Sequence, residues 1–248
     1  MEPFITKDGR YLIFNNRNDP PEHTDLFYAE RVDDLTFAFK GEITGANSPA
    51  LDAVASLDAA GMLYFVTTRR YERDLSTIYR ASFQDGAGAG AVPVPGIAPV
   101  TPGIVTFDAE VSGDGATLYL VDGDFRGAGP KPKATHMVVA HRAGEGFVRS
   151  PDSDRLLARI NDRGLNYAAA ISATGLELFF THVDAMTADA TPQIFRATRA
   201  AADKPFGEPQ HVSSAVGFVE APSLSADGRR LYFHRRVGER FIVFEAER

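Results

Sequence analysis

Residues 225–233 read SADGRRLYF, which is a serine, a turn signal of Asp and Gly, and then a run of leucine and aromatic residues. Related stretches occur at 6–14 (TKDGRYLIF), 57–65 (LDAAGMLYF), 112–120 (SGDGATLYL) and 172–180 (SATGLELFF). Their shared glycines recur at intervals of 52, 54, 60 and 53 residues and are Gly9, Gly61, Gly115, Gly175 and Gly228. The chain of 248 residues is therefore predicted to contain five copies of one structural unit.

Each unit has the pattern of short antiparallel strands. An Asp or Ser side chain can bond nearby backbone amides and Gly takes the positive φ of a hairpin, so two strands are expected to flank the turn. A third run follows in every unit: DLFYAER, STIYRASF, THMVVAHR, QIFRATR and FIVFEAER. A weaker fourth segment follows in four units, as FAFKGEI, AVPVPGI, RLLARIN and GEPQHVS, and the glycine stretch DGAGAGA at 85–91 is predicted to be a flexible turn before one of them.

Four short strands in each unit are typical of a propeller blade, because such a sheet must pack both faces against its neighbours. The predicted fold is all-β, a five-bladed β-propeller of four-stranded antiparallel blades. It forms one domain over residues 1–248, with blades at approximately 1–50, 51–103, 104–164, 165–217 and 218–248. Because no fourth segment follows FIVFEAER, the last blade is expected to have three strands, unless residues were lost ahead of Met1. A β-sandwich of similar hairpins is the alternative, but it does not require the period to persist.

Two units carry a family resemblance. The stretches APSLSADGRRLYFHRR and EPFITKDGRYLIFNNR resemble the TolB-type, WD-repeat-like β-propeller repeats of bacteria, in which Pro-x-x-Ser-x-Asp-Gly-x-x-Leu-Tyr-Phe precedes a polar turn. The resemblance extends over essentially the whole chain and is weakest in the fourth unit, where Thr174 replaces the Asp. It implies the propeller fold and, for many members, a role as a scaffold or interaction module, while other members accompany enzymes.

Composition limits the classes of partner. The formal net charge is −7 and no dense basic run is present, which disfavours a nucleic-acid partner. The chain has no cysteine, so disulfides and thiolate metal sites are excluded. No cofactor is expected. No apolar run is long enough to span a membrane, and the first residues lack the pattern of a signal peptide. A cytoplasmic location is expected, or a periplasmic one if an upstream signal peptide was removed.

Candidate site residues are expected at one end of the propeller. In a blade the first strand begins, and the second strand ends, at the same end, so polar residues from both converge on the mouth of the central channel. The predicted ligand-binding residues are Asp52, Arg70, Asp108, Tyr167, His182, Glu220, His234 and Arg235.

Asp52 and Glu220 lie about eight or nine residues ahead of their glycines and are assigned to corresponding positions. Together with Asp108 they are expected to face one ligand, with a raised carboxyl pKa, a cation or an arginine among them. The alternative is structural: each carboxylate pairs with an arginine or caps a loop amide.

Two classes of function fit this arrangement. The first is a non-enzymatic scaffold that binds a protein partner or a small polar ligand, such as a sugar, at the channel mouth. The second is a carbohydrate-active enzyme, since some glycosidases resemble this chain in blade number and use three inner-strand carboxylates. Glu220 would then be the acid, Asp52 the base or nucleophile, and Asp108 the third carboxylate.

The sequence has no motif of those glycosidases beyond NDP at 18–20, in a predicted loop. No metal site is predicted, because His182 and His234 lack a spaced metal signature. A metal-dependent lyase or isomerase that uses these histidines ranks third.

Overall fold

The turn that defines the repeat is built by its own side chains. In this computed structural model, which describes residues 1–17, 21–127, 131–184 and 190–247, the Ser225 hydroxyl lies 2.6 Å from Asp227 Oδ1, which also accepts the Arg229 amide at 3.0 Å. Gly228 has a φ of 71° and donates its amide to the Ser225 carbonyl at 2.9 Å. In the fourth unit the hydroxyl of Thr174 takes the place of the Asp carboxylate, 3.1 Å from Ser172 Oγ. Each turn therefore forces a hairpin.

Over the described residues, nineteen strands form five antiparallel sheets, one for each sequence unit. Blade 1 contains β1 (Phe4–Ile5), β2 (Tyr11–Asn15), β3 (Leu26–Arg31) and β4 (Phe37–Glu42); blade 2 contains β5 (Asp52–Leu57), β6 (Met62–Arg70), β7 (Ser76–Gln84) and β8 (Ala87–Pro93); blade 3 contains β9 (Ile104–Val111), β10 (Thr117–Asp124), β11 (Thr135–Ala143) and β12 (Gly146–Arg149). Blade 4 contains β13 (Leu165–Ile171), β14 (Glu177–Val183), β15 (Gln193–Thr198) and β16 (Gln210–His211); blade 5 contains β17 (Val219–Leu224), β18 (Arg230–Val237) and β19 (Arg240–Glu247). The helical segments are a 3-10 turn (Pro21–His23), α1 (Tyr71–Asp74) and α2 (Ser153–Leu156).

The predicted five-bladed propeller and its three-stranded last blade are confirmed. The inner strands β1, β5, β9, β13 and β17 contact one another in sequence order, and β17 contacts β1 to close the ring. A separate hydrophobic cluster lies at each of the five contacts between neighbouring blades. The aromatic residues of the LYF and LFF runs are buried in these clusters, as the sequence predicted.

Two predictions about fourth strands are wrong. Residues 155–161 (RLLARIN) are not a strand, because α2 and the turn after it bury Leu156, Leu157 and Ile160 between blades 3 and 4. The fourth strand of blade 3 is β12, which follows a tight turn that pairs Ala143 with Gly146. The glycine stretch at 85–91 is also not a flexible turn: Asp85 and Gly86 alone form the turn, and β8 starts at Ala87.

A repeated arginine joins neighbouring blades. Arg31 at the end of β3 donates through Nε to the Gly9 carbonyl of its own hairpin at 2.7 Å and through Nη2 to the Tyr232 hydroxyl of blade 5 at 2.8 Å. Arg142 makes the same pair of bonds to Gly115 and Tyr64, and Arg199 to Gly175 and Tyr119. These guanidinium groups therefore link blade 1 to blade 5, blade 3 to blade 2, and blade 4 to blade 3.

Candidate functional site

Three inner strands, β5, β13 and β17, carry a bulge at equivalent positions. The residue seven places ahead of each unit's glycine is Glu2, Val54, Asp108, Ala168 or Ala221. Four of these, all except Asp108, are non-glycine residues with a φ between 48° and 54°. This conformation is strained for L-residues and turns the backbone out of the regular ladder toward the axis. The register of β5, β13 and β17 is interrupted at the same place.

These bulges close the channel around a small axial cavity. Its lining consists of the residues seven and six places ahead of each glycine, together with Phe4 and Glu110. The cavity volume is about 30 Å³, which is room for about one water molecule. A sugar ring therefore does not fit inside the channel.

Asp108 is one of three carboxyl groups that line this cavity. It is 6% exposed and its Oδ2 accepts the Ala168 amide at 2.8 Å. Burial and then the negative charge of Glu2 raise the pKa of Asp108 well above its ordinary value, and Glu110 and Glu220 add to the shift. The raised carboxyl pKa expected from the sequence is therefore present.

Glu110 lies on the hairpin side of Asp108 and has a cationic partner. Lys7, from the hairpin of blade 1, places its Nζ 3.4 Å from Glu110 Oε1 across the axis. Burial nevertheless raises the pKa of Glu110, while the Lys7 ammonium opposes the shift. Lys7 therefore closes the hairpin end of the channel.

A hydrogen-bonded chain links three blades at the other end of the channel. The Tyr167 hydroxyl donates to Glu220 Oε1, and His234 Nε2 lies 3.0 Å from Glu220 Oε2. His234 Nδ1 accepts the backbone amide of Glu2 at 2.9 Å, so the proton of the neutral ring is on Nε2 and is donated to Glu220. Burial, followed by the charge of Glu220, strongly raises the pKa of Tyr167. Both carboxylate oxygens of Glu220 therefore already accept hydrogen bonds from within the protein.

Asp52 lies outside this group. Its Oδ2 accepts from the amide and hydroxyl of Ser48 at 2.6 and 2.7 Å, and its Oδ1 accepts from Arg69 Nη2 at 2.5 Å. Arg69 also binds the Ala46 carbonyl, so Asp52 is fully buried in the connection between blades 1 and 2 and does not line the axial cavity. Asp52 thus both pairs with an arginine and caps a loop amide, which are the contacts that the structural alternative expects.

The other predicted ligand-binding residues are dispersed. Arg70 pairs with Asp74 within α1, and the Arg235 guanidinium lies 3.7 Å from the centroid of the Phe244 ring. His182 lines a separate cavity beside blade 4. The structure therefore brings Asp108, Tyr167, Glu220 and His234 together, and places Asp52, Arg70, His182 and Arg235 elsewhere. Ligand binding by all eight residues stays a prediction.

Sequence reasoning missed Glu2. Glu2 lies the same seven residues ahead of its glycine as Asp108, and this shared offset was the available signal. The motif NDP at 18–20 lies outside the described residues. Across the residues that the structure describes, no three His, Asp or Glu side chains are arranged to hold a metal ion.

No family model matches the chain, and no curated protein is similar to it in sequence. Among solved structures, TolB from Acinetobacter baumannii is 16% identical, with a TM-score of 0.54 and an alignment over 97% of this chain and 51% of that one. This chain therefore spans about half the length of that TolB. A thermostable family-43 glycoside hydrolase is 11% identical, with a TM-score of 0.61 over 99% of this chain and 88% of that one. The catalytic domain of a GH62 alpha-L-arabinofuranosidase from Coprinopsis cinerea is 12% identical, with a TM-score of 0.57 over 98% and 88%.

These likenesses show a shared propeller fold, and the TolB resemblance predicted from the repeats is found among them. They include both a TolB and glycoside hydrolases, so fold likeness does not choose between a scaffold and an enzyme. In the described part of the chain, none of the helices has the length and apolar character needed to cross a bilayer. The compartment stays a prediction.

Proposed function

We propose that this propeller is a non-catalytic binding module that holds a partner protein at the channel end where the inner strands begin, here called the start end. The observation that carries the proposal is the axial cavity of about 30 Å³, which leaves no room for a substrate beside the central carboxyl groups. The oxygens of Asp52 and Glu220 are already bonded within the protein. Contacts with a ligand are therefore made across the start end and not inside the channel.

The start end offers aromatic and apolar contact surface beside a carboxylate. The rings of Phe107 and Phe125 lie 5.8 Å apart at their centroids, and Phe107 lies 6.2 Å from Tyr167, which bonds Glu220. All three rings are partly exposed. Val100 is 94% exposed and Val216 is 57% exposed in connections at the same end. Apolar and aromatic groups around a polar centre are the composition of protein interfaces.

A photo-crosslinking residue placed at two matched positions tests the proposal. Val100 at the start end and Leu35 in the β3–β4 turn at the hairpin end are both apolar and are 94% and 84% exposed. Benzoylphenylalanine in place of Val100 is expected to capture a discrete partner in cells that make the protein, and the same residue in place of Leu35 to capture none. Glu220→Gln is expected to weaken the capture at Val100, because it removes the negative charge beside the aromatic surface. It is expected to leave the melting temperature largely unchanged, because it keeps the shape of the side chain. Capture at both positions, or at neither, contradicts the proposal.

A carbohydrate-active enzyme is the second candidate, and one observation favours it. Burial raises the pKa of Asp108 well above its ordinary value, and a raised carboxyl pKa is a property of general acids. If this candidate is right, the protein releases nitrophenol from a panel of 4-nitrophenyl glycosides, and Asp108→Asn abolishes the release. The binding proposal expects no release above the buffer rate for either protein.

A further inference from the structure

A second cavity lies beside blade 4, apart from the axis. Its volume is about 360 Å³, at the lower end of the range for small-molecule sites. The connection from blade 3 covers it, strands β13, β14 and β15 form its wall, and it shares no lining residue with the axial cavity. Ile160 and Phe180 form a buried apolar floor, and Phe195 and Pro209 are partly exposed at its side. A flat apolar group is therefore accommodated.

One imidazole nitrogen in this cavity is held as a hydrogen-bond acceptor. Buried Asn166 donates its Nδ2 to the Ile160 carbonyl at 2.7 Å and to the Arg163 carbonyl at 2.9 Å. Asn166 Oδ1 therefore faces His182 Nδ1, at 2.8 Å, and because a carbonyl oxygen only accepts, Nδ1 carries the proton. The lone pair of the neutral ring is then on Nε2, for which the described residues supply no hydrogen bond. Burial lowers the pKa of His182 and Arg163 adds to this, while Asp184 opposes it.

Two arginines line the rim of the cavity. Arg159 and Arg163 line it, and both face Glu208, with N to O distances of 3.9 and 3.2 Å. These side chains are between 61% and 72% exposed, so their ion pairs are weak and exchange readily for an incoming anion. Asp184 is the one acid among the lining residues that the structure describes.

We propose that this cavity binds a small aromatic acid that carries a hydroxyl group. The ring lies against Phe195 and Pro209, the carboxylate pairs with Arg159 and Arg163, and the hydroxyl donates to His182 Nε2. The cavity lies at the same end of the blades as the partner surface, but it shares no lining residue with Phe107, Phe125 and Tyr167, so either proposal can fail without the other.

The probe is 4-hydroxybenzoate, with binding measured by calorimetry and by the imidazole ¹⁵N resonances of His182. A Kd of about 1 mM or tighter is expected for a ligand of this size. The His182 Nε2 resonance is expected to shift as the new hydrogen bond forms. With 4-methoxybenzoate, which has no hydroxyl to donate, binding is expected to be about tenfold weaker, the effect of one lost hydrogen bond.

Arg163→Ala tests the carboxylate contact, and Arg155→Ala is its control, since Arg155 is an exposed arginine of α2 that does not line the cavity. Arg163→Ala is expected to weaken 4-hydroxybenzoate about tenfold, as loss of one charge-assisted contact does, and Arg155→Ala to change it little. Because both side chains are exposed, neither variant is expected to impair folding. Absence of binding to the parent, equal binding of the two benzoates, or equal effects of the two arginine variants overturns the proposal.

Discussion

Asp108 is a carboxyl group held where its negative charge is unfavourable. Of the groups around it, the Ala168 amide favours the ionised form, while burial and three neighbouring acids disfavour it. Replacing a buried charge of this kind by a neutral group of the same shape is often stabilising. We therefore expect Asp108 to lower the stability of the fold, as groups retained for a function commonly do.

Asp108→Asn is expected to raise the free energy of unfolding by about 1 kcal/mol at about pH 8, and by less at about pH 5. With its raised pKa, folded Asp108 keeps a proton that the unfolded chain has lost, so the parent loses stability as pH rises from about 4 toward the folded pKa. The Asn side chain keeps an oxygen for the Ala168 amide and removes this loss. Urea unfolding of both proteins at the two pH values checks the prediction.

Asp227→Asn is the control, because the bonds from Ser225 and then from the Arg229 amide lower the pKa of Asp227. The stability contributed by that group is present above its unfolded pKa and is lost as pH falls, so the control has the opposite sign of pH dependence. If both variants show the same pH trend, Asp108 does not carry a raised pKa.

The candidate site was predicted only in part, because offsets of eight and nine residues were treated as equivalent. Glu220 and Tyr167 both lie eight residues ahead of their glycines and are bonded to each other, whereas Asp52 lies nine ahead. Successive side chains of a strand point to opposite faces, so one residue moves Asp52 into the connection between blades. The position seven residues ahead of the glycine has no composition signal, since Glu, Val, Asp and Ala occupy it in different blades.

At the scale of elements, an arginine at the end of the third strand links neighbouring blades through side-chain hydrogen bonds. It follows an alanine by two residues in AER, AHR and ATR, and its guanidinium spans its own hairpin and a tyrosine of the preceding blade. In blade 2, Phe83 takes the place of this arginine. In the preceding blade, apolar Ile13 takes the place of the tyrosine, and both side chains lie in the same hydrophobic cluster. The equivalent residue of blade 5, Arg248, lies outside the described residues.

Tyr64→Phe is expected to lower the free energy of unfolding by about 1.5 kcal/mol, because it removes the acceptor that Arg142 bonds at 2.7 Å. Tyr28→Phe is the matched control, since its hydroxyl makes only an exposed 3.5 Å contact to the Asp85 carbonyl, and it is expected to cost less than about 0.5 kcal/mol. Chemical denaturation measures both. Equal costs would show that the arginine bridge contributes nothing.

The first and second strands of each blade were predictable, because adjacent residues encode the turn between them. The fourth strands were not predictable in this way. A fourth strand has one sheet neighbour and packs against the connection of the preceding blade, as Phe147 does when its amide bonds the Pro95 carbonyl at 3.0 Å. Its sequence is therefore set by contacts distant in the chain. Small residues suit β8 because Gly88 lies against Ala46, where a Cβ would approach to 3.2 Å.

For the whole molecule, the ring is closed by side chains and not by a fourth strand in blade 5. The Ile5 amide bonds the Ser223 hydroxyl at 3.0 Å, as the Val111 amide bonds Ser56 between blades 2 and 3. The cluster between blades 5 and 1 has only three fully buried members, Ile5, Leu12 and Tyr232, and is the smallest of the five described. The free edge of β19 carries Glu245 and Glu247, charges that disfavour pairing with another sheet.

We expect this ring to unfold as one cooperative unit although the hydrophobic cluster at its closure is the smallest, because each blade buries its faces only against its neighbours. Tyr232→Phe at the closure and Tyr119→Phe between blades 3 and 4 remove equivalent bonds to Arg31 and Arg199, of 2.8 and 2.9 Å. Both are expected to lower a single calorimetric melting temperature by a similar amount, about 2–4 °C for each kcal/mol lost. If Tyr232→Phe instead splits the transition in two while Tyr119→Phe does not, blades 5 and 1 separate before the rest unfolds, and the chain is not one cooperative domain.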